Sequence, residues 1–343
     1  MRVGDLDVDI DGAVKAALKR KAKSVVLQVP EGLKRRAGEM ADSFEKKGIY
    51  VTLAGDPCYG ACDLAIIGSG QVTRDLCTGY DNDILVHVGH TPIGLDGDDG
   101  VIFVEAVSSA PVGAAVRKAL PLLGDKVGLI ATVQHVHTLA ESAALIRKAG
   151  KKAFIGKGDS RVKYPGQVLG CNASAARSVA SRADSFLFIG TGTFHPIAVA
   201  LATGKPTIAT DPLSGEAQDV GQLAERILRR RHGLITVASK ARNFGIILCT
   251  KPGQRRKSEA LALARKIRKT GRSARLVSAN EIEPWRFKGF GFDALVSTAC
   301  PRLAIDDCAK FGVPLLTPIE AEIAVGLRDW DGYVFDEITP AKR

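Results

Sequence analysis

The sequence predicts three similar α/β units, each a short, mostly parallel sheet flanked by helices, arranged around a central site. Three observations carry this expectation. Apolar runs of strand length alternate with amphipathic helical stretches. The alternation recurs in the same order three times. The copies are spaced by about a hundred residues, a domain's worth rather than a short solenoid repeat.

The first copy opens with an apolar strand at Val25 to Val29. Leu33, Ala37, Met40, Ala41 and Phe44 then fall on one face of a 3.6-residue helix. Lys46-Lys47-Gly48 ends that helix, because glycine accepts the left-handed conformation after a helix terminus. A second strand follows at Ile49 to Leu53. The second copy opens at Val127 to Ile130, carries Leu139, Ala143 and Ile146 on its helix, and stops at Gly150. The third opens at Phe244 to Leu248, carries Ala260, Leu263, Ala264 and Ile267, and stops at Gly271. Each copy then reaches an aspartate and a third apolar strand, beginning at Asp83, Asp184 and Asp293. Each closes on a fourth apolar segment: Val101 to Val104, Pro206 to Ala209 and Val313 to Leu316.

Continuously apolar strands alternating with helices indicate parallel sheets covered on both faces. The expected domains are 1–110, 111–220 and 221–343. The competing architecture is one doubly wound sheet whose internal similarity is ordinary βαβ grammar. In open α/β sheets ligands bind beyond the carboxyl ends of the strands. Three such ends facing inward would share one site.

Composition narrows the function. Apolar residues make up 45% and charged residues 25%, as in globular proteins generally. No apolar run approaches the roughly 18 residues of a membrane helix. The first residues lack the basic-then-apolar layout of a secretion leader, so a cytoplasmic location is expected. A formal charge of +11 favours an acidic partner or nucleic acid. The basic runs Arg229-Arg230-Arg231 and Arg255-Arg256-Lys257 read as solvated helix faces, with His232 facing solvent beside the first. Aromatic residues, at 6%, do not interleave with these runs, so a base-stacking platform and direct nucleic-acid binding are not expected.

Seven cysteines, an odd number without a secretion signal, argue against a disulfide framework and for reduced thiols. Cys62, Cys171 and Cys300 each occupy a loop after a strand, one per copy, among small neighbours such as Gly60, Ala61, Gly170 and Ala299. Small residues let backbone approach a bulky inorganic group. Three thiolates suit a 4Fe-4S cluster with one open iron. On spacing alone this stands beside the plainer reading of three small buried residues. Cys58 and Cys62 resemble the start of a radical S-adenosylmethionine motif, but the next cysteine, Cys77, breaks it. Cys249 reads as strand core, Cys308 as incidental in a helix, and Cys77 as ambiguous.

Tyr59 to Asp63, Gln134 to His137, Gly156 to Arg161, Pro165 to Asn172, Phe194-His195-Pro196 and Ala299 to Arg302 together resemble the archaeal 2-(3-amino-3-carboxypropyl)histidine synthases of diphthamide biosynthesis. The resemblance runs in order from about residue 5 to the Phe335-Asp336-Glu337 tail. It implies a homodimer of three-domain subunits with one 4Fe-4S cluster each, held by Cys62, Cys171 and Cys300. It implies transfer of a 3-amino-3-carboxypropyl group from S-adenosylmethionine to C2 of a histidine of elongation factor 2, with an electron donor as a further partner. Cys58 is an extra thiol that leaves the first ligand open.

No G-x-G-x-x-G is present, so other loops must bind the co-substrate. The candidates are Gln28, Pro30, Gly32, Gln134, Gly158, Arg161, Thr191 and Arg302. Arg161 or Arg302 suits a bidentate clamp on the substrate carboxylate. His135 and His137, two apart, would share one face of a strand. Together with His87, His90 and His195 they suggest a zinc site, but the ligands would come from separate loops. Hydrogen bonding near the central site is the preferred role for His135 and His195. Two alternatives remain at this level. One is a quinolinate synthase-like 4Fe-4S dehydratase, also built of three α/β domains. The other is a non-catalytic module gripping nucleic acid through its positive charge.

Overall fold

The computed structural model describes residues 1–65, 84–94 and 100–340. Cys77 and Asp83, singled out above, lie outside the described residues.

Strands β1 (Arg2–Val3) and β2 (Leu6–Val8) lead into helix α1 (Ile10–Lys19), whose first turn is closed by the Asp9 carboxylate accepting from the Gly12 N–H at 2.9 Å. Strand β3 (Ser24–Gln28) follows, then a 3-10 segment running into α2 (Ala37–Glu45), then β4 (Tyr50–Leu53), β5 (Ile84–Val88) and β6 (Val101–Val104). Their sheet has the order β4-β3-β5-β6, all parallel. Strand β7 (Ala106–Ser108) joins β1 and β2 in a small antiparallel sheet.

The second run contains α3 (Gly113–Ala119), β8 (Lys126–Ala131), α4 (Leu139–Lys148), β9 (Lys152–Ile155), α5 (Ser174–Arg177), β10 (Ser185–Ile189), α6 (Phe194–Thr203), β11 (Thr207–Asp211) and β12 (Glu216–Asp219). The third contains α7 (Gly221–Ala238), β13 (Asn243–Cys249), α8 (Lys257–Lys269), β14 (Ser273–Ala279), α9 (Trp285–Lys288), β15 (Ala294–Ser297), α10 (Pro301–Ile305), β16 (Leu315–Leu316) and α11 (Pro318–Ala324). Their sheets are β9-β8-β10-β11, with β12 added antiparallel at the edge, and β14-β13-β15-β16. All three sheets therefore place the second strand beside the first, then the third, then the fourth. The single doubly wound sheet is not what forms.

The sequence periodicity maps onto burial. Leu33, Ala37, Met40, Ala41 and Phe44 are all buried, as are Leu139, Ala143 and Ile146, and Ala260, Leu263, Ala264 and Ile267. Gly48, Gly150 and Gly271 take φ of 74°, 81° and 79°, the left-handed stop expected of each copy. The recurring aspartate also has a physical role. Asp184 Oδ2 accepts from the Lys126 N–H at 3.1 Å, and Asp293 Oδ2 accepts from the Arg242 and Asn243 N–H groups at 2.9 Å. Each closes the start of the adjacent strand.

The basic runs differ from their solvated reading. Arg231 is wholly buried: it donates to Glu320 Oε1 at 2.8 Å and to the Ala304 and Leu315 carbonyls at 2.6 and 2.7 Å. Arg256, 11% exposed, donates to the Thr298 carbonyl at 2.7 Å and pairs with Asp336 at 2.8 Å. Arg229 and His232 do face solvent. Cys249 closes β13 in the core, and Cys308 is buried at the start of a short 3-10 helix, Cys308–Lys310.

Candidate metal and substrate centre

The loops following strands carry the three singled-out cysteines. Cys62 follows β4, Cys171 follows β9, and Cys300 follows β15 as the cap of α10. The three meet at one cavity of about 190 Å³. Gln134, Arg161, Arg302, His90 and His195 also line it. A larger hollow of about 660 Å³, beside Met1, Asp9 and Glu105, holds no cysteine.

Burial raises all three thiols, Cys171 to about 12 and Cys300 well above its ordinary value. Their mutual proximity adds to the rise for Cys171 and Cys300. Arg161 acts in the opposite direction on Cys62 and Cys171, and Arg302 on Cys300. Without a cation these are neutral thiols; a bound metal is what would deprotonate them. The donor set fits a metal group. Arg161 adds a second sign of fit: it is 6% exposed, and its Nε has no partner among the described residues. A buried guanidinium with a spare donor beside Cys171 suits an anionic occupant.

The chain fixes each cysteine loop by contacts from elsewhere. Asp159 accepts from the Arg161 N–H at 2.9 Å and from Asn172 Nδ2 at 2.8 Å, tying Arg161 to the loop of Cys171. The Ile338 N–H donates to the Cys171 carbonyl at 2.8 Å, and Glu337 accepts from the Ala173 N–H at 2.6 Å. Arg256 pairs with Asp336 and donates to the Ala299 carbonyl at 3.0 Å. The tail thus staples the Cys171 loop to the Cys300 loop. Gly170 permits close approach of Phe194: a Cβ there would lie 1.9 Å from the ring. The Arg302 guanidinium sits over the Phe194 ring, 4.4 Å from its centroid.

The turn from Lys251 to Gln254, just past β13, is the element that sequence reasoning missed. Lys251 Nζ pairs with Asp63 at 2.9 Å and Glu281 at 2.8 Å. The Gly253 N–H donates to the Cys62 carbonyl at 3.2 Å, and the Gly253 carbonyl accepts from Arg161 Nη2 at 3.1 Å. Gln254 Nε2 donates to Cys62 Sγ at 3.4 Å, and its Oε1 accepts from the Cys300 N–H at 3.2 Å. The available signal was a Lys-Pro-Gly-Gln stretch at the carboxyl end of the third copy's first strand.

Cys58, His87 and His90 form a second group of close ligand atoms, all within 4.8 Å of one another. Gln28 explains its protonation. Gln28 Nε2 donates to the Asp63 carbonyl at 2.9 Å, and its Oε1 accepts from the Ala65 N–H at 3.2 Å. Oε1 therefore accepts from His87 Nδ1 at 2.8 Å, which leaves His87 Nε2 to accept from His90 Nδ1 at 3.0 Å. Two nitrogens in a tetrahedral zinc shell, at about 2.0–2.1 Å from the metal, stand further apart, at about 3.3 Å. A hydrogen-bonded pair is the better description. Burial lowers both rings, His90 to about 4.

The remaining candidates separate clearly. Gln134 donates to the Gly89 carbonyl at 3.0 Å and lines the cavity, as do Arg161 and Arg302. Gln28 is hydrogen-bonded in the core, Pro30 packs on Gly89, Gly158 packs on Val162, and Gly32 and Thr191 are exposed; none of these five lines the cavity. The five histidines are not assembled around one point. His195 lines the cavity with its ring stacked on Phe188 at 5.9 Å, and burial lowers it to about 4. Strand β8 ends at Ala131, so His135 precedes a 3-10 turn in which His137 lies, and the two do not share a strand face. Among the described residues no helix is long and apolar enough to cross a membrane.

Comparison with known proteins gives one answer. The family profile of diphthamide synthesis proteins matches residues 29–334. The 2-(3-amino-3-carboxypropyl)histidine synthase of Pyrococcus horikoshii is 40% identical over 325 residues, covering 94% of this chain and 91% of that protein. Subunit 1 of the Schizosaccharomyces pombe synthase is 30% identical over 319 residues, 91% of this chain and 72% of its own. The crystal structure of Pyrococcus horikoshii Dph2 with a 4Fe-4S cluster superposes with a TM-score of 0.89 at 38% identity, covering 98% of this chain and 96% of the other.

Proposed function

The chain belongs to the diphthamide synthesis protein family, and from that premise we propose that it transfers the 3-amino-3-carboxypropyl group of S-adenosylmethionine to C2 of a histidine in elongation factor 2, leaving 5′-methylthioadenosine. The observation that carries the reading is the convergence of Cys62, Cys171 and Cys300 on one cavity. These three would hold a 4Fe-4S cluster, and residues 1–110, 111–220 and 221–343 would be the three domains that bring one thiolate each. When bound, the cluster supplies the single electron that cleaves the sulfonium.

The chain's own residues do the rest. Arg161 and Arg302 offer planar donors for the amino-acid carboxylate of the co-substrate. Gln134, held by Gly89, offers a fixed amide wall. His195 stays neutral at physiological pH because burial lowers it, so it serves as a hydrogen-bond partner rather than a cation. Which carbon–sulfur bond breaks is set by how these groups orient the co-substrate. The partners are elongation factor 2, a second copy of the chain, and an electron donor; the +11 charge favours an acidic partner surface.

The test is anaerobic. Wild type and the Cys62→Ala, Cys171→Ala and Cys300→Ala variants are assayed for iron and sulfide, with Cys58→Ala as a control expected to retain both. Dithionite, S-adenosylmethionine and elongation factor 2 are then added, and the nucleoside product is identified by mass spectrometry. Full iron in all three variants would remove the ligand set. 5′-Deoxyadenosine, or no nucleoside product at all, would remove the reaction.

A further inference from the structure

We infer that Gln254 is a positioning residue of the cluster site: its amide holds the Cys62 sulfur by an N–H···S bond while its carbonyl holds the backbone of Cys300. The inference rests on the proposed ligand set. The geometry fixes the amide's orientation without ambiguity. The Cys300 backbone N–H is a donor only, so the group facing it at 3.2 Å must be Oε1. Nε2 then faces Cys62 Sγ at 3.4 Å, and it has no choice but to donate. One side chain, 6% exposed, thereby spans two of the three cysteines.

Two further features make this a built contact. Gln254 sits at the end of a turn that cannot shift independently of Cys62, because the Gly253 N–H already holds the Cys62 carbonyl at 3.2 Å and the glycine itself packs on the Cys62 backbone. Arg161 Nη2 holds the same turn from the other side through the Gly253 carbonyl at 3.1 Å. The amide is therefore delivered to the sulfur by a fixed backbone.

An N–H donor on a coordinating sulfur withdraws electron density and raises the reduction potential of an iron–sulfur centre. Outer contacts of this kind also set metal affinity. Gln254→Glu keeps an oxygen for the Cys300 N–H and, with its carboxyl ionised at the alkaline pH of the titration, removes the donor to sulfur. Gln254→Leu removes both contacts. Each variant is purified anaerobically beside wild type and Cys62→Ala. Iron and sulfide are counted, folding is checked by circular dichroism, and the midpoint potential is read by reductive titration followed by electron paramagnetic resonance.

Gln254→Glu is expected to keep its iron with a more negative potential and an altered resonance signature. Gln254→Leu is expected to show the same shift and to load less than half the wild-type iron. If Gln254→Leu fails to fold, the near-isosteric Gln254→Glu decides alone. Wild-type iron, potential and resonance in Gln254→Glu would overturn the inference. Should that happen while Cys62→Ala loses its iron, only the role of Gln254 falls. Full iron in Cys62→Ala would instead remove the ligand assignment itself.

Discussion

Replacing Gly253 with alanine is expected to empty the proposed cluster site while leaving the fold in place. A Cβ at this position would lie 2.4 Å from the Cys62 Cα, 2.5 Å from the Cys62 Cβ and 2.8 Å from Ile93 Cδ1, where ordinary contact begins at 3.4 Å. Two of those atoms belong to a backbone position and its first side-chain atom, so no rotamer change relieves the overlap. The turn and Cys62 must separate by about 1 Å, which also lengthens the 3.2 Å bond from the Gly253 N–H beyond hydrogen-bonding range. Constellations of this kind tolerate displacements of about 0.5 Å. Disturbing the groups that orient metal ligands costs about 10–100-fold in metal affinity. The three sheets, of which only β13 leads into this turn, should be unaffected. The assay is iron and sulfide per chain after anaerobic reconstitution, with circular dichroism as the fold check. Gly55→Ala, in the loop after β4 with nothing within 4 Å of its added Cβ, is the control. Wild-type iron loading in Gly253→Ala would refute the claim that this turn sets the position of Cys62.

Two other perturbations test different parts of the molecule. Arg231→Met leaves Glu320 as a buried charge at 1% side-chain exposure and should destabilise the chain by about 3–5 kcal/mol in urea unfolding, whereas a second change, Glu320→Leu, should restore much of the loss; a single variant as stable as wild type would end that account. Acid should destabilise the metal-free protein from pH about 6.5 downward. Burial lowers His87 well below its ordinary value and His90 and His195 to about 4, so the unfolded chain binds protons that the folded chain refuses. That stability is complete above the unfolded value and drains as pH falls toward 4; thermal midpoints independent of pH across this window would contradict it.

Most of the fold was legible in the sequence because its cause is local. A helix that covers a sheet needs an apolar stripe at 3.6-residue spacing and a stop, and both are written in consecutive residues, as in Ala260, Leu263, Ala264, Ile267 and Gly271. The buried arginines were illegible for the opposite reason. Arg231 finds its carboxylate at Glu320 and Arg256 finds Asp336, each 80 or more residues away. A charge run looks solvated until the partner carboxylate is placed in space. The strand reading of His135 and His137 failed at a boundary: β8 ends at Ala131, and the chain turns before either histidine. At the site, three thiols after strands were visible as a pattern, but the Lys251–Gln254 turn was not. Its residues act through backbone groups, one ammonium and one amide, which have no distinctive spacing.

The placement of these contacts has a thermodynamic consequence for the proposed cluster. Cys62 lies in the first run of strands, yet its carbonyl and sulfur are held by Gly253 and Gln254 from the third. Cys171 lies in the second, yet its carbonyl is held by Ile338 from the tail. Arg161, beside Cys171, holds the turn that holds Cys62. No single unit could therefore present its cysteine correctly without the others in place. A group that binds only the assembled arrangement stabilises it by mass action, so loading of the site and docking of the three units are one linked equilibrium. The thiols of the metal-free chain, held neutral by burial and by their closeness to one another, make the same point from the other side. Burying three of them around one cavity adds little to stability by itself, and the arrangement is best explained by the charge they would jointly neutralise.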